Sequence, residues 1–224
     1  MRWLLGIALV ASIVASIPLL YGHPHPEHPH PTPDPEGVAW DQCNAAGFPT
    51  KWDKYIRKAV IKHWPLELQP YHCYWRAQLA KESSLDTRHC EQENSSRAKC
   101  LAQLLPGTAK EVEEETGLQH TRTSAVAAIM GGAYFMNKQF NFWREPRDWK
   151  PCRIELGQAG YVSGAGHIEK AQRLARKDGK AARCFDEIAP YLDQVITPSN
   201  AADVIEYRAT IRRYYREMTD VRLR

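Results

Sequence analysis

Glu82 is the carboxylate whose spacing places it where a solvated charge does not belong. It follows Leu79 by three residues and Trp75 by seven, so on a helix the three share one face. If Trp75 and Leu79 point inward, the Glu82 carboxyl is buried or lines the wall of a cleft. Desolvation then disfavours its ionised form and raises its pKa. A carboxylic acid that keeps its proton near neutral pH is what glycosidic bond cleavage needs to protonate a leaving oxygen. A buried glutamate paired with an arginine or lysine has the same spacing, and spacing alone does not choose between the two. Asp86, one helical turn further on, could be proposed as the second carboxylate that an ordinary hydrolase would want, with a capping role as the favoured reading.

Two other residue types could do chemistry. Cys43, Cys73, Cys90, Cys100, Cys152 and Cys184 form an even set with no C-x-x-C spacing, so disulfides are expected and the ligand spacings of a zinc site are absent. Six cysteines allow fifteen pairings. Cys90 and Cys100 bracket a polar loop that they could clip, and sequence order suggests Cys43 with Cys73 and Cys152 with Cys184. His23, His25, His28 and His30 alternate with proline and could hold a transition metal. A solvated spacer explains them more simply, and no metal or cofactor is expected.

The elements that must position Glu82 are helices. Trp52, Tyr55, Ile56, Ala59, Val60 and His63 recur at three- and four-residue steps, with Thr50 and Asp53 as an expected cap. A second helix is expected from about His72 to Leu85, and a third from Pro106 to a stop at Gly117. Val126, Ile129, Met130, Ala133 and Phe140 stripe a fourth, starting near Thr123. Further helices are expected near Arg153–Val162, His167–Arg176 and Cys184–Gln194. A last one runs from about Ala201 to Met218 with Val204, Ile211, Tyr214 and Met218 inward. Strand signals are poor and no repeat appears, so the class is all-α.

The chain of 224 residues is 43% hydrophobic and 25% charged, a composition that excludes disorder and collagen-like architecture for residues 38–224. Its net charge of +4 is too small and too mixed in sign for nucleic-acid binding. The arginines of the last helix (Arg208, Arg212, Arg213, Arg216) are interrupted by acids and are expected on a solvated face. At the other end, Trp3–Tyr21 is uncharged and, as a helix, would be roughly 28 Å long, close to a bilayer's hydrocarbon thickness. A cleaved signal peptide and an uncleaved anchor both fit residues 1–21, and both imply export. Residues 22–37 are expected to be a Pro/His-rich linker in extended polyproline form, with residues 38–224 as the folded domain.

Four blocks bear a family resemblance. Ala77–Asp86, A-Q-L-A-K-E-S-S-L-D, resembles the end of the catalytic helix in the lytic transglycosylases of the soluble-lytic-transglycosylase, lysozyme-like superfamily. Ser96–Ala109 is similar to that family's G-A-x-G-L-M-Q-x-M-P-x-T-A block at Ala98, Leu101, Gln103, Pro106, Thr108 and Ala109. Ala128–Phe135 resembles its helix ending in a Tyr-Leu pair, and Gln158–Gly166 its A-A-Y-N-A-G-P-G block. The order matches the family's, with a fainter echo at Tyr207.

The resemblance implies a disulfide-stapled lysozyme-like fold, with Glu82 as sole acid/base and Ser83, Gln103, Tyr134 and Tyr161 as substrate-binding residues. It implies a monomeric peptidoglycan-cleaving enzyme of the periplasm or cell envelope, contacting membrane only through residues 3–21. Three positions depart from the pattern: Arg97 and Cys100 stand where it has glycine, and Val162 where an asparagine follows the tyrosine. A lysozyme-type hydrolase on the same fold and a non-catalytic glycan-binding protein are the alternatives.

Overall fold

A computed structural model describes Cys43 and residues 47–143 and 150–219, all within the unit Pro33–Arg224. The expected leader or anchor and the Pro/His-rich linker lie outside the described residues. Within them the chain is all-α: eight α-helices and no strand, with one isolated bridge between Lys99 and Leu104. The helices are α1 (Asp53–His63), α2 (His72–Ser83), α3 (Pro106–Thr116), α4 (Ala125–Phe140), α5 (Lys150–Ser163), α6 (Ala165–Lys177), α7 (Phe185–Ile188) and α8 (Pro198–Thr219).

Local chemistry accounts for most of the boundaries. α3 opens on Pro106 and closes on Gly117 at φ +71°, where a side chain would meet its own backbone. α4 starts after Ser124, whose hydroxyl accepts from the Ala127 amide. Three expectations shift. The α1 cap is Trp52, with no side-chain cap, because Asp53 is taken up by Arg76 at 2.7 Å. α2 stops at Ser83, two residues short, as Ser84 and Leu85 turn left-handed at φ +53° and +57°. The expected Cys184–Gln194 helix is a single α-helical turn followed by a 3-10 turn, Ala189–Gln194, with Pro190 at its start, where proline cannot supply a backbone donor.

Two apolar clusters hold the helices. The larger joins α1, α2, α4 and the C-terminal half of α8 around Trp75, Leu79, Ile129, Met136 and Ile211. Tyr74 stacks on Tyr215 at 3.8 Å between ring centroids, tying α2 to α8. The smaller joins α5, α6 and α7 to the start of α8 around Leu156, Ile168, Phe185 and Val204. Arg208 and Arg212 are not the solvated face their spacing suggested. Arg208, 2% exposed, meets the buried Glu155 at 2.9 Å, and Arg212 bridges Glu155 and Asp186. A glutamate three helices upstream is therefore neutralised by the arginine stripe of α8.

The six cysteines form Cys43–Cys73, Cys90–Cys100 and Cys152–Cys184, the pairs that sequence order and the polar loop suggested. Three disulfides belong to an oxidising, extracytoplasmic compartment. No described helix is long and apolar enough to cross a membrane.

Candidate functional site

α2 carries Glu82 to its last turn, and the left-handed pair Ser84–Leu85 ends the helix directly after it. Trp75 and Leu79 are fully buried on the same face, as the spacing required, while Glu82 itself is half-buried. Across from it, Tyr207 of α8 donates its hydroxyl to Glu82 Oε1 at 2.5 Å. Burial pushes the Glu82 carboxyl up to about 7, against the opposing pull of the Tyr207 hydrogen bond and the Lys81 charge. Among the described residues no arginine or lysine forms a salt bridge to it, and its hydrogen-bond partner is a phenol.

Two phenols flank the acid. Tyr161, from α5, donates to the Ala102 carbonyl at 2.7 Å and packs edge-on against Phe135 at 5.1 Å. Burial, then the nearby Glu82 charge, holds the Tyr161 and Tyr207 hydroxyls well above the usual phenol range. Both remain neutral donors at any pH where Glu82 titrates.

The segment from Glu93 to Leu104 faces the end of α2 and is braced from several sides. Asn94 Oδ1 accepts from the Ser96 and Ala98 amides at 3.0 and 2.8 Å. Arg122 reaches the Arg97 and Leu104 carbonyls at 2.7 and 3.2 Å and pairs with Glu93 at 2.6 Å. Cys90–Cys100 closes the loop covalently, and the Cys100 amide donates to the His89 carbonyl at 2.6 Å. Arg97, Cys100 and Gln103 are all left-handed, at φ +66°, +65° and +48°. A Cβ is disfavoured there, so the bracing holds strain that glycine would not feel.

The expected site residues divide into those at the acid and those elsewhere. Ser83 is 3% exposed, and its hydroxyl lies 3.2 and 3.0 Å from the Leu79 and Leu101 carbonyls. It straps the end of α2 to the braced loop. Gln103 is engaged at both ends, accepting from Asn94 at 2.9 Å and donating to the Cys100 carbonyl at 2.7 Å. Tyr134 turns to the other side of α4, donating to Glu115 at 2.8 Å beside the His63 ring, and Tyr161 is reached by its neighbour Phe135 instead. Asp86 caps the 3-10 turn Thr87–Cys90 and binds Arg88, which holds its carboxyl down to about 2. Val162 is 46% exposed beside Tyr161.

Tyr207 is the residue that sequence reasoning left out of the site. Its position was legible, because it lies three residues after Val204 and four before Ile211 on the stripe that α8 buries. That the stripe meets α2 at Glu82, 125 residues away, was not.

No protein-family model matches this chain, and no curated protein matches it either.

Proposed function

We propose that this protein is a peptidoglycan lytic transglycosylase of lysozyme-like fold, cleaving the β-1,4 bond between N-acetylmuramic acid and N-acetylglucosamine. The observation that carries this reading is Glu82, a half-buried carboxyl with no salt-bridge partner among the described residues, held by Tyr207 and raised to about 7. Near neutral pH it has a proton to give and a conjugate base able to take one back.

In this mechanism Glu82 protonates the oxygen that links the two sugars, and the bond to the anomeric carbon breaks. The substrate's N-acetyl oxygen stabilises the positive charge on that carbon. Glu82, now ionised, removes the proton from the muramic acid 6-hydroxyl, whose oxygen bonds to the anomeric carbon. A 1,6-anhydro sugar results, Glu82 recovers its proton, and no water is consumed. Tyr207 orients the carboxyl through Oε1, and Tyr161 and the braced Glu93–Leu104 loop shape the wall beside it.

The left-handed backbone lends support of a separate kind. Arg97 and Cys100 stand where the resemblance calls for glycine, and they take the φ values that glycine takes freely. The loop conformation thus fits the pattern although both residues depart from it. The hydrolase alternative needs a second working carboxylate, and Asp86, held low by Arg88, is a poor nucleophile or base.

Glu82→Gln keeps the side chain's shape and an oxygen for Tyr207 but has no acidic proton. We expect it to lose at least 100-fold in the lysis of purified peptidoglycan, measured by turbidity, with its circular dichroism unchanged. Retained lysis in the folded variant would remove Glu82 from the chemistry.

A further inference from the structure

α6 leaves directly from the candidate site. α5 carries Tyr161, whose hydroxyl feels the Glu82 charge, and ends at Ser163; α6 begins at Ala165, after a left-handed Gly164 at φ +86°. It packs Ile168, Ala171 and Ala175 into the smaller apolar cluster, and its outer face is charged. Residues 165–180 carry five basic and two acidic side chains. Both acids are engaged: Glu169 lies 3.9 Å from Arg173, and Asp178 accepts the Tyr191 hydroxyl. Lys170, Arg176, Lys177 and Lys180 are all exposed and make no ion pair among the described residues.

Helix chemistry accounts for only part of this cluster. Arg176 and Lys177 occupy the last turn, where the carbonyl end of the helix favours cations. Lys170 sits in mid-helix and Lys180 lies beyond the helix, so neither is placed in that turn. Arg173 has like charges three residues to either side and four residues on, spacings at which they repel.

We propose that the outer face of α6 docks the peptidoglycan substrate beyond the scissile bond, its cations meeting the free carboxylates of the stem peptides. This rests on the reading of Glu82 as an acid that cleaves peptidoglycan. A glycan strand held at Glu82 continues past the site, and α6 runs on from Tyr161 to reach Lys177 about 18 Å along its axis from Ala165. Exposed charges act at a distance and are screened by salt, so such a face raises encounter with an extended anionic substrate rather than fixing one sugar. An anionic bilayer fits it less well. The exposed residues of α6 are Gly166, Glu169 and cations, which place no apolar side chain to enter lipid.

The test is co-sedimentation of the full-length, oxidised Glu82→Gln protein with purified peptidoglycan, which that variant leaves uncut. The same measurement is made on peptidoglycan whose carboxylates have been amidated with carbodiimide and methylamine, and on phosphatidylglycerol vesicles. Amidation should weaken binding at least tenfold. So should raising the salt from about 0.1 to 1 M, which shortens the screening length from about 10 to about 3 Å. Combined Lys170→Gln, Arg176→Gln, Lys177→Gln and Lys180→Gln keeps a good helix former at exposed positions. It should weaken binding to native peptidoglycan at least tenfold, with circular dichroism unchanged. A charge-matched control, Lys51→Gln, Lys54→Gln, Lys58→Gln and Lys62→Gln in and before α1, should stay within about twofold of the parent. Amidated peptidoglycan bound as tightly as native would overturn the proposal, as would equal losses in the two fourfold variants. Loss of vesicle binding with peptidoglycan binding retained in the α6 variant would overturn it in favour of a membrane. Lysis by the wild type is scored separately, so failure of the acid and failure of this surface are read apart.

Discussion

Glu82 is uncomfortable when ionised, and that discomfort can be measured without any substrate. Its folded pKa of about 7 lies above the ordinary carboxylate value of 4.5, so between these values the folded state binds more protons than the unfolded one. Stability contributed by this group is therefore greatest at or below pH 4.5 and falls as the pH rises to 7, by no more than about 3 kcal/mol. Glu82→Gln never ionises. It should match the wild type near pH 4.5 and exceed it by about 1–3 kcal/mol at pH 8, measured by urea denaturation at both values. Equal stability of the two proteins at pH 8 would mean that Glu82 is not destabilised by burial. The spacing after Trp75 and Leu79 already showed where this carboxyl points. It could not show that Tyr207 would meet it, because a contact across 125 residues is a property of packing rather than of periodicity.

At the level of elements, the position of Glu82 depends on how closely α2 and α4 approach. A Cβ at Gly132 of α4 would come within 2.6 Å of the Ala102 Cβ and 2.8 Å of the Trp75 ring. Real Cβ atoms do not sit so close, so Gly132 is what lets the braced loop and the Trp75 face of α2 pack on one helix. Gly132→Ala should cost about 1–3 kcal/mol and shift Trp75 and the Ala102 backbone away from α4. Thermal unfolding and amide shifts in residues 98–104 would report both effects, and an unperturbed loop would contradict this role. Most helices were legible in their three- and four-residue apolar steps, and the third also in its proline start and glycine stop. The exceptions have physical reasons: Asp53 left its capping position for a buried arginine, and Pro190 broke the α-helical turn after Ile188.

Across the whole molecule, covalent bonds and buried charge reinforce what the two apolar clusters hold together. Cys152–Cys184 links α5 to the start of α7, and Glu155 with Arg208 and Arg212 ties α5 to α8. Each disulfide of a small exported domain is worth about 2–5 kcal/mol. Reduction of all three should lower the thermal midpoint by more than 10 °C. Melting that is unchanged under reductant would contradict the staple. The all-α class and the cysteine pairing were visible in helical periodicity and chain order. The arginine pairing was not, because the interrupting acids Glu217 and Asp220 suggested a solvated face and Glu155 gave no sign of its burial.

The central claim, one-carboxylate cleavage by Glu82, is tested most directly by mass spectrometry of the soluble fragments released from purified peptidoglycan by the protein. The account predicts muropeptides lighter by one water than hydrolytic products, and none from Glu82→Gln. Reducing-end fragments of full hydrolytic mass would contradict it, as would no fragments at all from the folded protein.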